Sequence, residues 1–457
     1  MGVAGLGGAA SLISIKAPGN FWYLKVNTRD STYNGRYSEN YQCPAIDSSG
    51  NVYVSGTYYQ TGFIAKFDSK GIHQWTRELS FKDMNAVAVD SSGNVYGAGT
   101  DIYTGAYAAV LVKFNSSGTL QWQRKYDNSS YQEMGFGVDV DNSGGVYMSV
   151  ESYGQGSHLV KYDTSGTFSW NRKVTCESTS AGYGADVSVD KGNQQVYLAA
   201  LDYTSASLIP TGAWSIHKFN TSGTHSYSRI YGTGQYDGAN TSRGHQIRTA
   251  HGVSGDWYIS GTLTNTVAGG NELFAAKFNA SGTLQWSRRI GGTATDYTAG
   301  MAVDDDGNVY ACGMDNQGTT AGQKLIIAKW NDSGVLQWQR ELGGSAGYEY
   351  NFGNAITVDN DGSYYLTFYS NSPQTSESGS VINDTIIFKL PDDGTLTGTH
   401  GDFTYAVGSF TESNVTDASV VNVNSPSVTN SPSGWSSGTP SYTSTTVTTE
   451  VIKTAVS

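Results

Sequence analysis

Lys113-Phe114-Asn115-Ser116-Ser117-Gly118, followed by Leu120, Trp122 and Arg124, is the stretch that organises this chain. The same phrase begins at Lys66, Lys113, Lys161, Lys218, Lys277, Lys329 and Lys389, seven times in all. A partner phrase precedes each copy, as in Val87-Ala88-Val89-Asp90-Ser91-Ser92-Gly93-Asn94-Val95-Tyr96. The copies recur every roughly 45–60 residues, far more than one rung of a β-helix and enough for a small four-stranded sheet.

Each repeat reads as two hairpins. In the second copy strand A runs from Ala86 to Asp90, strand B from Asn94 to Gly99, strand C from Val110 to Asn115 and strand D from Thr119 to Tyr126. The Asp or Asn that opens each turn bonds its own backbone, and the Gly accepts positive φ. Period-two alternation puts Trp122 and Arg124 on one face of strand D. The Asp turn recurs at Asp47, Asp90, Asp141, Asp190, Asp304 and Asp359. The fifth copy is degenerate, with His251 to Asp256 in its place, although Tyr258 and Gly261 keep the pattern.

Strand D counts to seven with a shift. Trp75, Trp122, Trp170, Trp286 and Trp338 carry it, and Tyr227 stands in for Trp in the fourth copy. The seventh repeat ends Thr395-Leu396-Thr397-Gly398 without such a strand, whereas Phe21 to Val26 forms an unclaimed strand ahead of the first copy. Joining the two closes a ring and hides the edge strands that an open array would expose. The expected fold is therefore all-β: a seven-bladed β-propeller closed by an N-terminal strand. The five Trp residues of strand D are expected to be largely buried.

These phrases resemble the SBBP-type β-propeller repeat family, in which Asp-x-x-Gly-Asn-Val-Tyr (here Asp90 to Tyr96) alternates with Lys-Phe-Asn-x-Ser-Gly-x-x-x-Trp (here Lys113 to Trp122). The resemblance spans about residues 20 to 400 and implies the fold rather than an activity. It divides the chain into a Gly/Ala-rich arm, 1–20, the propeller, 21–401, and a Ser/Thr/Val-rich tail, 402–457. The tail has no apolar face large enough for its own core, so it is either disordered or a set of strands that orders against a partner. The glycine-rich start, repeat propeller and tail together are similar in layout to virion-associated proteins of marine tailed phages.

Composition narrows the function. The net charge of -12 is spread along the chain, which argues against nucleic acid as a partner. Gly (57) and Tyr (31) are abundant and Pro (8) is scarce, as many short strands and tight turns require. Cys43, Cys176 and Cys312 lie far apart, with neither disulfide-framework nor zinc spacing. No basic residue precedes Lys16, so a signal-peptide n-region is not expected. No apolar run approaches the ~20 residues of a membrane helix.

Chemistry has few candidates. Asp304-Asp305-Asp306-Gly307-Asn308 is the densest carboxylate run, but Val309 stands where a calcium loop needs its glycine, and the run falls on an Asp turn. His73, His158, His217, His225, His245, His251 and His400 show no ligand spacing. There is no GxSxG or Walker loop. Each Trp-x-Arg pair reads as blade-to-blade packing with a cation–π contact. Sequons at Asn115, Asn220, Asn279 and Asn331 follow from the turn phrase itself. The chain is thus read as non-enzymatic, with no catalytic or metal-binding residues and no cofactor.

The D–A connections carry Tyr131, Tyr183, Tyr231, Tyr236, Tyr297, Tyr348 and Tyr350 among small polar residues. Such a mixture suits an adaptable protein- or sugar-binding surface. The ligand-binding candidates are Tyr131, Tyr183, Tyr236, Tyr297, Tyr348 and Tyr350. Two functions follow. One is a structural or adhesion protein of a phage tail, fibre or particle surface, located on the virion. Its tail would pair with another virion or assembly protein, and its loops would meet a host-surface glycan. The other is a secreted or cell-surface bacterial propeller that binds or processes carbohydrate.

Overall fold

The computed structural model describes residues 11–16, 21–27, 44–58, 61–101, 107–127, 131–153, 155–175, 183–202, 213–232, 246–249, 255–264, 271–291, 296–315, 324–344, 355–359, 362–370, 384–400, 403–414, 419–423, 427–429, 436–438, 444–446 and 451–455. Among these residues there is no helix; the strands fall into seven sheets, the blades of a β-propeller. Blade 2 shows the plan. Strand A (Asp83–Val89) pairs antiparallel with strand B (Val95–Asp101), B with C (Ala108–Phe114), and C with D (Leu120–Asp127). Inner A strands of successive blades touch one another around the ring, and that of blade 7 (Ala355–Val358) reaches that of blade 1 (Ala45–Ile46).

The registers explain why the repeat phrase has its spacing. Between C and D a β-bulge shifts the register just after the turn, so that Leu120 faces Phe114 but Trp122 faces Lys113. The extra residue re-aims the following side chains. The same shift sets Trp75 against Lys66, Trp170 against Lys161, Tyr227 against Lys218, Trp286 against Lys277 and Trp338 against Lys329. Lys is thus the cross-strand neighbour of Trp, or of Tyr in blade 4, along strand D.

Blade 7 takes its D strand from the N-terminus, as expected. Trp22–Asn27 pairs antiparallel with Asp384–Leu390, and Trp22 faces Lys389. No bulge is needed there, because no turn connects the two strands.

The core lies between blades. One cluster takes Ala86, Tyr96 and Ala98 from blade 2 and Val138, Val146, Met148 and Val150 from blade 3. Another joins Tyr23, Phe388 and Leu366 of blade 7 to Tyr310, Leu325 and Ile327 of blade 6. Each sheet therefore buries both faces against its neighbours, and blade-to-blade packing supplies the hydrophobic stabilisation.

Two features differ from the four-stranded expectation. Ser11–Lys16 belongs to blade 7, pairing outside Trp22–Asn27, so part of the N-terminal arm is built into the ring. The C-terminal segment then runs around the outside and adds a strand to every blade. Phe403–Val407 pairs with strand D of blade 6 (Leu336–Gly344), and Gly398–His400 pairs outside it. Thr411–Asn414 adds to blade 5 (Leu284–Gly291) and Ser419–Val423 to blade 4 (His225–Gly232). Ser427–Thr429 adds to blade 3 (Phe168–Thr175) and Ser436–Gly438 to blade 2. Ser444–Thr446 adds to blade 1 (His73–Leu79), and Val451–Ala455 lies parallel to Ser11–Lys16 in blade 7.

The tail is thus a belt that visits the blades in descending order. The sequence led us to expect these strands to add to another chain; in this structure they add to the chain's own blades. The physical reason is the edge problem: six D strands, and Ser11–Lys16 in blade 7, would otherwise present unpaired backbone groups, and a short strand at each rim satisfies them.

Candidate binding face

The propeller has two unlike faces. The Gly turns lie on one; the B–C and D–A connections lie on the other. The turn face comes first, because its polar groups are already committed.

In every A–B turn but that of blade 5 the Asp closes on its own backbone. Asp90 accepts the N–H groups of Ser92 and Asn94 (both 2.9 Å), the Asn94 amide (2.8 Å) and the Tyr96 hydroxyl (3.0 Å). Asp304, in the densest carboxylate run, has the same four kinds of partner: Asp306 and Asn308 N–H, the Asn308 amide and Tyr310 hydroxyl. In blade 1 burial pushes the Asp47 carboxyl up, but the bonds from Asn51, Tyr53 and Ser49 outweigh it and hold it below the ordinary range. Among the described residues no three His, Cys, Asp or Glu side chains are placed to share a metal ion.

The C–D turns are gripped by the preceding blade. Trp75 donates its indole N–H to Ser116 O (3.2 Å), Lys66 points its ammonium at the same carbonyl (3.4 Å), and Arg77 donates Nε to Gly118 O (2.6 Å). From blade 2, Trp122 (3.0 Å) and Lys113 (3.0 Å) meet at Thr164 O. From blade 5, Trp286 donates to Asp332 O (2.9 Å) and Arg288 to Gly334 O (2.8 Å). The ring closes with Trp22 donating to Ser69 O of blade 1 (3.2 Å), although Leu24 stands where the other blades have Arg.

The expected Trp–Arg cation–π contact is present: Arg124 lies 5.4 Å from the Trp122 ring and Arg172 5.0 Å from Trp170. A second one was not expected. Lys113 sits 5.3 Å from the ring of Tyr96, its neighbour on strand B, and the arrangement recurs in all seven blades. Burial holds the Lys113 ammonium below the ordinary lysine range against the pull of Asp90 and Asp163.

Trp75 and Trp286 are buried as expected, but Trp122, Trp170 and Trp338 are only half-buried. One indole face packs on the glycine of the next turn and the other rim meets solvent.

The loop face holds the candidate tyrosines. Tyr131, in the D–A connection that enters blade 3, is exposed. Next to it the structure places an exposed aromatic that the sequence reading missed: Tyr153, at the end of strand B of blade 3, 55% exposed. The Tyr153 N–H donates to Gln132 O (2.9 Å), which ties the two connections together. Below them Ser152 Oγ donates to the fully buried Glu133 carboxylate (3.2 Å), and Lys173 donates to Gln155 Oε1 (2.9 Å). A B–C connection that carries a lone aromatic beside small residues, Tyr153-Gly154-Gln155-Gly156, was the available signal.

The other candidates are not gathered here. Tyr183 and Tyr297 are the first residues of the inner strands of blades 4 and 6, rather than connection residues, and their side chains lie outside the described residues. Tyr236, Tyr348 and Tyr350 also lie outside the described residues. Tyr231 is a correction. It belongs to strand D of blade 4 and is fully buried, its ring 5.5 Å from Phe274 and edge-on to Phe278. Tyr231 holds the place of Tyr126, the last residue read into strand D of the second copy, so the repeat itself puts it on the strand rather than in the D–A connection.

One family of known proteins matches part of the repeat. Residues 285–314, strand D of blade 5 through strand B of blade 6, match the family described as "SBBP: Beta-propeller repeat". The matched repeat is a propeller repeat. A solved structure described as "Structure of Dos1 propeller" is similar at 11% sequence identity, covering 84% of this chain and 93% of that one with a TM-score of 0.46. No curated protein matches the chain.

Proposed function

We propose that this chain is a non-enzymatic structural or adhesion component of a phage particle, presenting the loop face of its propeller to a protein or glycan. The observation that carries the reading is the pairing of exposed Tyr131 and Tyr153 on blade 3, joined by the Tyr153–Gln132 bond. Two amphipathic rings held on a rigid blade offer stacking area at low entropic cost, with polar groups beside them. The opposite face favours the same orientation, because its Lys, Trp, Arg and Asp side chains are engaged in holding the blades together. Placement on a phage particle rests on the layout of arm, propeller and tail. Attachment through the rim of the ring, where the tail runs, belongs to the same reading.

The test is a glycan array, with host surface extract in parallel, probed with the intact protein and with Tyr131→Ala/Tyr153→Ala. Binding that the double variant loses while keeping its melting temperature supports the reading. Turnover of a glycan by the purified protein, abolished by one Asp or Glu substitution, would favour the bacterial carbohydrate-active alternative.

A further inference from the structure

The belt is built in two unlike parts. Its first part is anchored by side chains. Phe403 and Tyr405 are buried among Phe388, Leu342 and Tyr23, and Phe410 is buried beside Trp286. Tyr405 exchanges a hydrogen bond with Tyr364, Gln339 Nε2 donates to Phe410 O (3.0 Å), and Glu412 lies 3.3 Å from Arg288 Nε.

The second part is held differently. On blades 3, 2 and 1 the belt strands are three residues long. The last belt strand pairs parallel with Ser11–Lys16, the weaker geometry per residue. From residue 415 to the end the only large apolar side chains are Trp435, Tyr442 and Ile452, and Ser and Thr dominate. Each belt strand must therefore offset the ordering of its own and the joining residues with a few backbone bonds.

We infer that the outer edges of blades 4, 3, 2, 1 and 7 are strand-accepting sites whose second occupant is the C-terminal segment of another copy of this chain, exchanged for its own. Backbone pairing carries the attachment, and a second copy offers identical edges in identical register. Exchange therefore conserves every strand pair while linking two rings at their rims, the economy that underlies domain swapping. Residues 403–412 stay with their own blades, so the propeller itself is not disturbed. The inference stands apart from the reading of the loop face, since neither Tyr131 nor Tyr153 takes part.

The experiment uses full-length chains with Cys43 and Cys176 changed to Ser. Thr445 is the cross-strand partner of Glu78, and Thr429 that of Lys173. A Glu78→Cys/Thr445→Cys chain should form an intrachain disulfide when oxidised at high dilution, since cross-strand Cα pairs lie within disulfide reach. A Glu78→Cys chain is then mixed with a Thr445→Cys chain at high concentration, and Lys173→Cys with Thr429→Cys as an independent pair. Mixed disulfide-linked dimers on a non-reducing gel, absent when either chain is incubated at high dilution, are the expected result. Intrachain linkage with no mixed dimer at any concentration overturns exchange. Failure of both the Glu78→Cys/Thr445→Cys chain and a Lys173→Cys/Thr429→Cys chain to link internally overturns the belt register on which the inference rests.

Discussion

Trp22 is the cross-strand partner of Lys389, and its indole N–H reaches Ser69 O of blade 1. One side chain near the start of the molecule therefore completes the last blade and grips the first. Trp22→Ala should cost ~3–5 kcal/mol, the range for a buried large aromatic, because Trp22 is 4% exposed. Deleting residues 1–27 should lower the melting temperature further and promote aggregation through the bared edge of Asp384–Leu390. Chemical denaturation and light scattering are the measurements; an unchanged melting curve for either variant contradicts the closure.

The seven clasps place a Trp or Tyr against the glycine of each following C–D turn. Gly118 has φ +76°, and a Cβ there would lie 2.8 Å from Trp75. Gly118→Ala therefore meets both backbone strain and a collision and should cost on the order of 2 kcal/mol. Gly192→Ala is the control: a Cβ there meets only Asp190, at 3.5 Å, and should change stability by less than about 0.5 kcal/mol. Equal losses from the two substitutions would remove the argument.

Loop and clasp aromatics should also separate. Trp122→Ala breaks the bond to Thr164 O and the contact with Arg124. It should destabilise by about 3 kcal/mol, the low end for a core aromatic because its ring is half-exposed. Tyr131→Ala should stay within about 0.5 kcal/mol of the parent. Urea midpoints decide it, and similar shifts would erase the distinction between holding face and presenting face.

Acid should weaken the fold through its buried histidines. Burial, with His225 nearby, pushes His217 down from 6.5 to about 3, and burial, with Lys173 nearby, does the same to His158. Both are neutral in the folded state over a range where the unfolded chain binds protons. Their contribution is complete above pH 6.5 and is lost as the pH falls toward 3. His217→Asn should lower stability at pH 7, since it disturbs the bond to Ser228 Oγ (2.7 Å). It should also flatten the decline between pH 7 and acid. Parallel stability–pH curves for parent and variant would show that His217 does not carry this dependence.

Most of the ring was legible in the sequence. Seven Lys phrases count seven blades, and the Trp missing after Lys389 finds its replacement in Trp22. The Trp-x-Arg contact was legible because alternation puts both side chains on one face. The Lys–Tyr contact was not, since it joins Lys113 to Tyr96 across two strands whose register the turns alone do not reveal. Four-stranded blades were expected because Ser436–Gly438 and Ser444–Thr446 carry no apolar alternation; their pairing is set by the edges they cover. The exposure of Tyr131 was legible from its polar setting. Tyr231 was misplaced in the D–A connection although it holds the place of Tyr126 at the end of strand D, and Tyr153 was missed because it lies on a B–C connection, whereas the candidates came from the D–A connections.

The direction of the belt has a consequence for synthesis. On a ribosome the strand Trp22–Asn27 emerges ahead of blade 1, yet its partner, Asp384–Leu390, emerges only after the four strands of every other blade. The belt that covers blades 6 to 1 follows only after that. Throughout elongation the growing array carries an unmatched N-terminal strand and bare outer edges, the exposures that favour off-pathway association. Every rim can be covered only once the belt itself has emerged, and a stall within the last repeat would leave an open, adhesive arc of blades.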